Sequence, residues 1–143
     1  MKTLKQVFFI VGNLAIIVGI VLIGVYVYWQ TYPYKVITIS EDSIPISPTI
    51  VKPGDYVNLT IKYCKYLPLP ATVSQTFEDD LIYTRPTFIT NNPTGCKTSV
   101  TSTQIPLQLP NGTYTIKQIY SCQVNPVRVI TVTSQTIPFK IAK

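Results

Sequence analysis

The sequence predicts one membrane-spanning α-helix followed by a small all-β domain, a two-sheet antiparallel sandwich of seven or eight strands. Three observations carry that expectation. Residues Val7–Trp29 form an apolar run of 23 residues without a charge. From Tyr34 onward valine, isoleucine, threonine and tyrosine dominate, and two stretches alternate apolar and polar residues with the period of a half-buried strand. Proline- and glycine-containing turns recur about every ten residues, the spacing of short strands in a sandwich of about 110 residues.

At about 1.5 Å rise per residue, Val7–Trp29 is long enough for a hydrocarbon core of about 30 Å. Its one strongly polar side chain is Asn13. Tyr26, Tyr28, Trp29, Tyr32 and Tyr34 cluster at its C-terminal end, where amphipathic rings mark the outer interface. The bulky YVYWQTYPY stretch replaces the small residues that precede a signal-peptide cleavage point, so the segment is expected to persist as a signal-anchor. Lys2 and Lys5, against Lys35 alone on the other side, put the N-terminus in the cytoplasm and the β domain in the periplasm or outside the cell. The expected organisation is therefore a cytoplasmic N-terminus (1–6), a transmembrane helix (7–29), an interfacial linker (30–34) and the β domain (35–143). Gly12, Ala15 and Gly19 share one helix face with Asn13 close by. Small residues let helices approach and an amide bonds across such an interface, so this face is expected to pair with a second copy or with another membrane protein.

Of the formal net charge of +6, Lys2 and Lys5 supply two, and the β domain carries ten basic and six acidic residues, 10 − 6 = +4. The basic residues are scattered and form no run, which argues against nucleic-acid binding and for an ordinary solvated surface.

Strands are expected at Lys35–Ile39, Ile46–Val51, Asp55–Tyr66, Ala71–Phe77, Leu81–Ile89, Lys97–Leu107, Thr113–Val124 and Val127–Ile141. Val57, Leu59, Ile61 and Tyr63 fall on one face of the third, opposite Asn58, Thr60, Lys62 and Cys64. Tyr114, Ile116, Tyr120 and Cys122 share a face of the seventh. Lys52-Pro53-Gly54-Asp55 and Pro110-Asn111-Gly112 read as the turns that enter them, and Asn125-Pro126 as a tight hairpin.

Asn111-Gly112-Thr113-Tyr114 resembles the tyrosine corner that opens the sixth strand of immunoglobulin-like domains, and Val51-Lys52-Pro53-Gly54-Asp55-Tyr56-Val57 resembles the second-strand entry of their bacterial members. The resemblance implies an immunoglobulin-like sandwich. It departs from antibody-type domains: Trp29 lies outside the β domain, and Cys122 follows Tyr114 by eight residues instead of two. The short anchor with Tyr63-Cys64-Lys65-Tyr66 and Gly95-Cys96 also resembles small membrane-anchored proteins of tailed phages and their bacterial relatives, a family without an assigned activity.

In an immunoglobulin-like strand order Cys64, Cys96 and Cys122 gather at one pole. The resemblance then implies a Cys64–Cys96 disulfide between neighbouring strands, in keeping with an oxidising compartment. Cys122 is left free, either a buried hydrophobe on the core face or a partner in an intermolecular bridge. No CxxC spacing occurs, and no metal site is expected.

The chain has no histidine, which removes Ser-His-Asp and Cys-His nucleophile activation and imidazole ligands. Glu78-Asp79-Asp80 is the one acidic cluster; it reads as a solvated turn, with a Ca²⁺ loop as the alternative. The Asn58 and Asn111 sequons read as coincidental. No cofactor and no small-molecule substrate are expected.

The expected function is that of a membrane-anchored, non-enzymatic interaction or structural protein: an accessory subunit of a membrane or virion assembly, or a surface contact module. The alternatives are a transient assembly factor for a membrane complex and a membrane-anchored enzyme. Contacts are expected at strand-end loops that face the membrane, Leu67-Pro68-Leu69-Pro70, Asn91-Asn92 and Asn125-Pro126, with other membrane or envelope proteins as partners.

Overall fold

A computed structural model of the chain describes residues 2–40, 43–79 and 82–142. Helix α1 (Lys2–Thr31) is followed by twelve strands among these residues: β1 (Ile37–Ile39), β2 (Ser43–Ile44), β3 (Ile46–Ser47), β4 (Ile50–Val51), β5 (Tyr56–Lys65), β6 (Ala71–Glu78), β7 (Ile82–Thr84), β8 (Phe88–Thr90), β9 (Gly95–Gln104), β10 (Gly112–Asn125), β11 (Arg128–Thr136) and β12 (Phe139–Ile141). Two units result. One is the chain up to Pro33 with the hairpin tip Asn125–Arg128, and the other is Tyr34–Val124 with Val129–Lys143.

In the first unit, Gln6–Thr31 is long and apolar enough to cross a membrane. A helix end leaves its last carbonyls without intrahelical donors, and α1 has no basic residue in its last turn. The hairpin tip fills both needs. Arg128 Nη1 donates to the carbonyls of Gln30 and Tyr32, each at 2.7 Å, and Asn125 Nδ2 donates to that of Trp29 at 3.0 Å. The guanidinium also places positive charge at the negative end of the helix dipole.

In the second unit, β5 is the spine of a four-stranded sheet. It pairs antiparallel with β1 and β3 along one edge and with β9 along the other. β10 is the spine of an eight-stranded sheet, with β6 antiparallel along one edge and β11 and β12 along the other. β7 and β8 line the far edge of β6, while β2 and β4 run parallel to β11 and β12.

Twelve segments replace the seven or eight strands expected, because prolines interrupt three of them and β2 is an additional strand ended by Pro45. Pro45, Pro48, Pro86 and Pro138 stand at the breaks, where a residue without an N–H ends a ladder. Leu81, the expected start of one strand, lies outside the described residues. The all-antiparallel expectation also needs correction. β1 to β4 alternate between the two sheets, and β2 and β4 make parallel pairs. This weaving segment ties the sheets together along one side. On the other side β9 pairs with β5 alone, β7 and β8 pair with β6 alone, and no strand bridges them among the described residues.

One core cluster draws on both sheets, with Val57, Leu59, Ile61 and Tyr63 from β5 meeting Phe77, Tyr114, Ile116, Phe139 and Ile141 from the other. The alternation in β5 and β10 thus places its apolar residues inward, as a two-residue period requires. At the entry to β5, Gly54 adopts φ +91°, a conformation open to glycine without strain. Lys52 N donates to Asp55 Oδ2 at 2.9 Å, closing the turn.

At the entry to β10, the ring of Tyr114 is buried and its Oη donates to the Pro110 carbonyl at 3.2 Å. Tyr114→Phe keeps the ring and removes that bond. It is expected to lower unfolding stability by about 1 kcal/mol in urea titration; an unchanged midpoint would show that the bond contributes nothing.

Candidate functional site

The three cysteines separate as their strand parity dictates. Cys64 and Cys96 face each other across β5 and β9 and form a disulfide, with Cα atoms 3.9 Å apart. Their neighbours at core-facing positions of β5 are Tyr63 and Lys65, so the bridge lies on the outer face of the sheet. Cys122 is a buried free thiol. It lies outside the main core expected for it, in a second cluster with Val36 and Ala71, covered by Tyr34, Leu67, Leu69, Val124 and Ile130. Burial pushes its pKa up, with the Lys65 charge opposing, so the reactive thiolate is disfavoured.

The expected contact loops are partly committed to the chain itself. Leu67 and Leu69 pack on the Cys122 cluster, leaving Pro68 and Pro70 exposed. Asn92 accepts the buried Lys65 ammonium on its carbonyl at 2.7 Å and the Thr90 hydroxyl on Oδ1 at 2.9 Å, while Asn91 is exposed. Asn125 is engaged at both ends of its amide, donating to Trp29 and accepting from Val127 N, and Pro126 is exposed. The Lys35 ammonium stands 4.4 Å from the Tyr66 ring centroid. The hydrogen bond with Thr38, then the Lys35 interaction, hold the Tyr66 pKa below its usual value.

On α1, Gly12, Asn13 and Ala15 are exposed, and a Cβ added at Gly12 or Gly19 would meet nothing within 4 Å. This face is open along the helix. In the acidic turn, Glu78 pairs with Lys117 at 3.4 Å and Asp79 is exposed; Asp80 lies outside the described residues. No group of three potential metal ligands occurs among the described residues.

A buried polar set went unread in the sequence. Gln118 occupies a core-facing position of β10, and its Oε1 accepts from Tyr120 Oη at 2.6 Å. Gln75 of β6 is equally buried. Its Nε2 donates to Thr103 Oγ1 of β9 at 3.3 Å, and its Oε1 accepts from Arg85 Nη1 at 3.3 Å. The signal was present: a glutamine at the inward parity of an otherwise apolar strand face. Beside this set, between the sheets, lies a cavity of about 90 Å³ lined by Ile61, Tyr63, Val73, Phe88, Gln118 and Tyr120, with Ser99 and Thr101 of β9.

Burial pushes the Tyr120 pKa up to about 12 from 10.0. The neutral phenol is the form favoured in the fold, so its contribution to stability is complete below pH 10. It is lost between pH 10 and about 12, where the unfolded chain ionises and the folded chain does not. That difference corresponds to about 2–3 kcal/mol. Tyr120→Phe is expected to flatten the fall of stability over that interval in chemical unfolding; identical alkaline slopes would contradict a buried neutral phenol.

No protein-family model matches the chain, and no curated protein matches it. Solved structures share parts of its shape. A Pseudomonas fluorescens alkylpurine DNA glycosylase, AlkC, bound to DNA with an abasic site analog, matches at TM-score 0.41 and 12% identity over 75% of this chain and 30% of that one. A β-glucosidase from Erythrobacter marinus, EmGH1, matches at TM-score 0.37 and 6% identity over 71% and 16%. The chain thus spans less than a third of either protein, and neither likeness bears on its activity.

Proposed function

We propose that the chain is a membrane-anchored, non-enzymatic interaction protein, an accessory subunit of a larger membrane or virion assembly. In this reading α1 crosses the membrane once, its N-terminus is cytoplasmic, and the β domain stands in the periplasm or outside the cell. The observation that carries it is α1 itself. Its 26-residue apolar segment has no buried share, and a contiguous exposed apolar surface of that length belongs in lipid or against another protein. The disulfide fits a domain held in an oxidising compartment.

We read the β domain as an immunoglobulin-like sandwich. Support comes from the Tyr114–Pro110 bond, from β9 as the antiparallel neighbour of β5, and from a first strand that changes sheets. A rigid scaffold of this kind presents loops and edges for recognition, and the missing histidine leaves the chain without the commonest general base. The helix face of Gly12, Asn13, Ala15 and Gly19 suits packing against another membrane helix.

Gentle solubilisation of native membranes followed by sizing tests this function. The chain is expected to migrate with a larger assembly at fixed stoichiometry. Migration as a monomer, or turnover of a substrate that depends on one of its side chains, would contradict it.

A further inference from the structure

The two sheets are joined on one side by the weaving segment β1 to β4 and open on the other, between β8 and β9. The 90 Å³ cavity reaches this side, where Phe88 and Thr90 of β8 and Ser99 and Thr101 of β9 line it. We infer that this open seam is a strand-docking site. An extended, acidic segment of a partner protein adds to the free edge of β9 and places one apolar side chain in the cavity. The inference rests on the interaction reading above and names the kind of partner.

β9 offers the backbone for such pairing over ten residues. Ile105 N donates to Asp55 O, and the Ile105 carbonyl accepts from Gly54 N. Odd-numbered residues of this stretch therefore turn their amides toward β5. By the alternation of an antiparallel ladder, Thr98, Val100 and Ser102 turn theirs toward the open edge. Unpaired edge groups of this kind are the template for strand addition, with side-chain pockets supplying specificity. The cavity holds about as much space as one branched or aromatic side chain fills, and Tyr63, Val73 and Phe88 make its wall apolar.

Charge selects the occupant. The strands that border the seam, β8 and β9, carry the exposed Lys97 and no carboxylate. Lys97 shares the inward parity of Ser99 and Thr101, and an inward-pointing lysine on an edge strand discourages indiscriminate apolar pairing. A carboxylate on the incoming strand removes that penalty. A second copy of β9 does not fit the site. It would bring only Lys97, Ser99, Thr101 and Thr103 to the cavity side, none of them an apolar side chain for the cavity.

The test uses the full chain in nanodiscs, panned against a phage-displayed library of random decapeptides, with recovered peptides titrated by fluorescence anisotropy. Recovered sequences are expected to alternate apolar and polar residues and to contain Asp or Glu. Val100→Pro removes an edge amide while sparing the bonds to β5, and Thr101→Leu fills the cavity. Each is expected to weaken peptide binding at least tenfold without moving the unfolding midpoint. Recovery of no alternating peptide, or binding that survives both substitutions, would overturn the inference. A chain that still purifies with a stoichiometric partner while both substitutions leave that partner bound would overturn strand docking and leave the accessory-subunit reading intact.

Discussion

A chain carrying Ile16→Lys together with Ile20→Lys is expected to be extracted from membranes by alkaline carbonate, whereas the unaltered chain stays in the pellet. Both residues lie in the middle of α1 with their side chains exposed. A lysine at the centre of a spanning helix is less favourable by about 3 kcal/mol, and each lost isoleucine adds a few tenths, so the pair shifts insertion by about 6–8 kcal/mol. That is a large part of what an apolar run of this length supplies. Lysine at Tyr26 and Tyr28 is the matched control. Near the helix end a long side chain reaches the interface with its charge in water, and extraction should not change. Carbonate resistance of the Ile16/Ile20 double variant would mean that the segment is held by protein and not by lipid.

Removing the Cys64–Cys96 bridge, as Cys64→Ala with Cys96→Ala, is expected to lower unfolding stability by about 2–4 kcal/mol. The two residues are separated by 32 positions, so the bridge closes a long loop that spans β6, β7 and β8. Because it lies on the outer face of its sheet, its loss opens no core cavity, and the effect is that of an untied chain. Among the described residues β9 has β5 as its single strand neighbour, so amide exchange should accelerate first in Gly95–Thr98. Urea unfolding of the detergent-solubilised chain, with and without reductant, measures the first effect, and hydrogen exchange the second. Equal midpoints would show that backbone pairing to β5 alone holds the edge.

What the sequence makes legible is local. The apolar run announces α1, and the turn at Lys52–Asp55 followed by Val57, Leu59, Ile61 and Tyr63 announces β5 to within a residue or so of Tyr56–Lys65. Pro110-Asn111-Gly112 and the tyrosines after it do the same for β10. What depends on partners is not legible. Residues 37–51 read as two strands, yet they divide into four short segments that take turns on β5, β11 and β12, and no local property of Ile44 or Ile46 names its sheet.

The same holds for the candidate sites. Strand parity separates Cys64 from Cys122, but the second cluster around Cys122 is assembled from Tyr34 and Val36 in one stretch and Ala71 in another, both distant from Cys122 along the chain. Gln75 and Gln118 stand at inward positions that a reading by apolar residues alone passes over. The open seam is a property of edges, defined by which strands lack a neighbour, and it emerges only once every strand is placed.

Cross-linking mass spectrometry in the native membrane tests most directly whether the tethered β domain contacts another protein. Lys35, Lys52, Lys62, Lys97, Lys117 and Lys140 spread reactive amines over the domain. The account predicts stoichiometric cross-links from a defined subset of these lysines to one larger complex. Cross-links only within the chain or between copies of it, from a membrane in which it remains anchored, would contradict it.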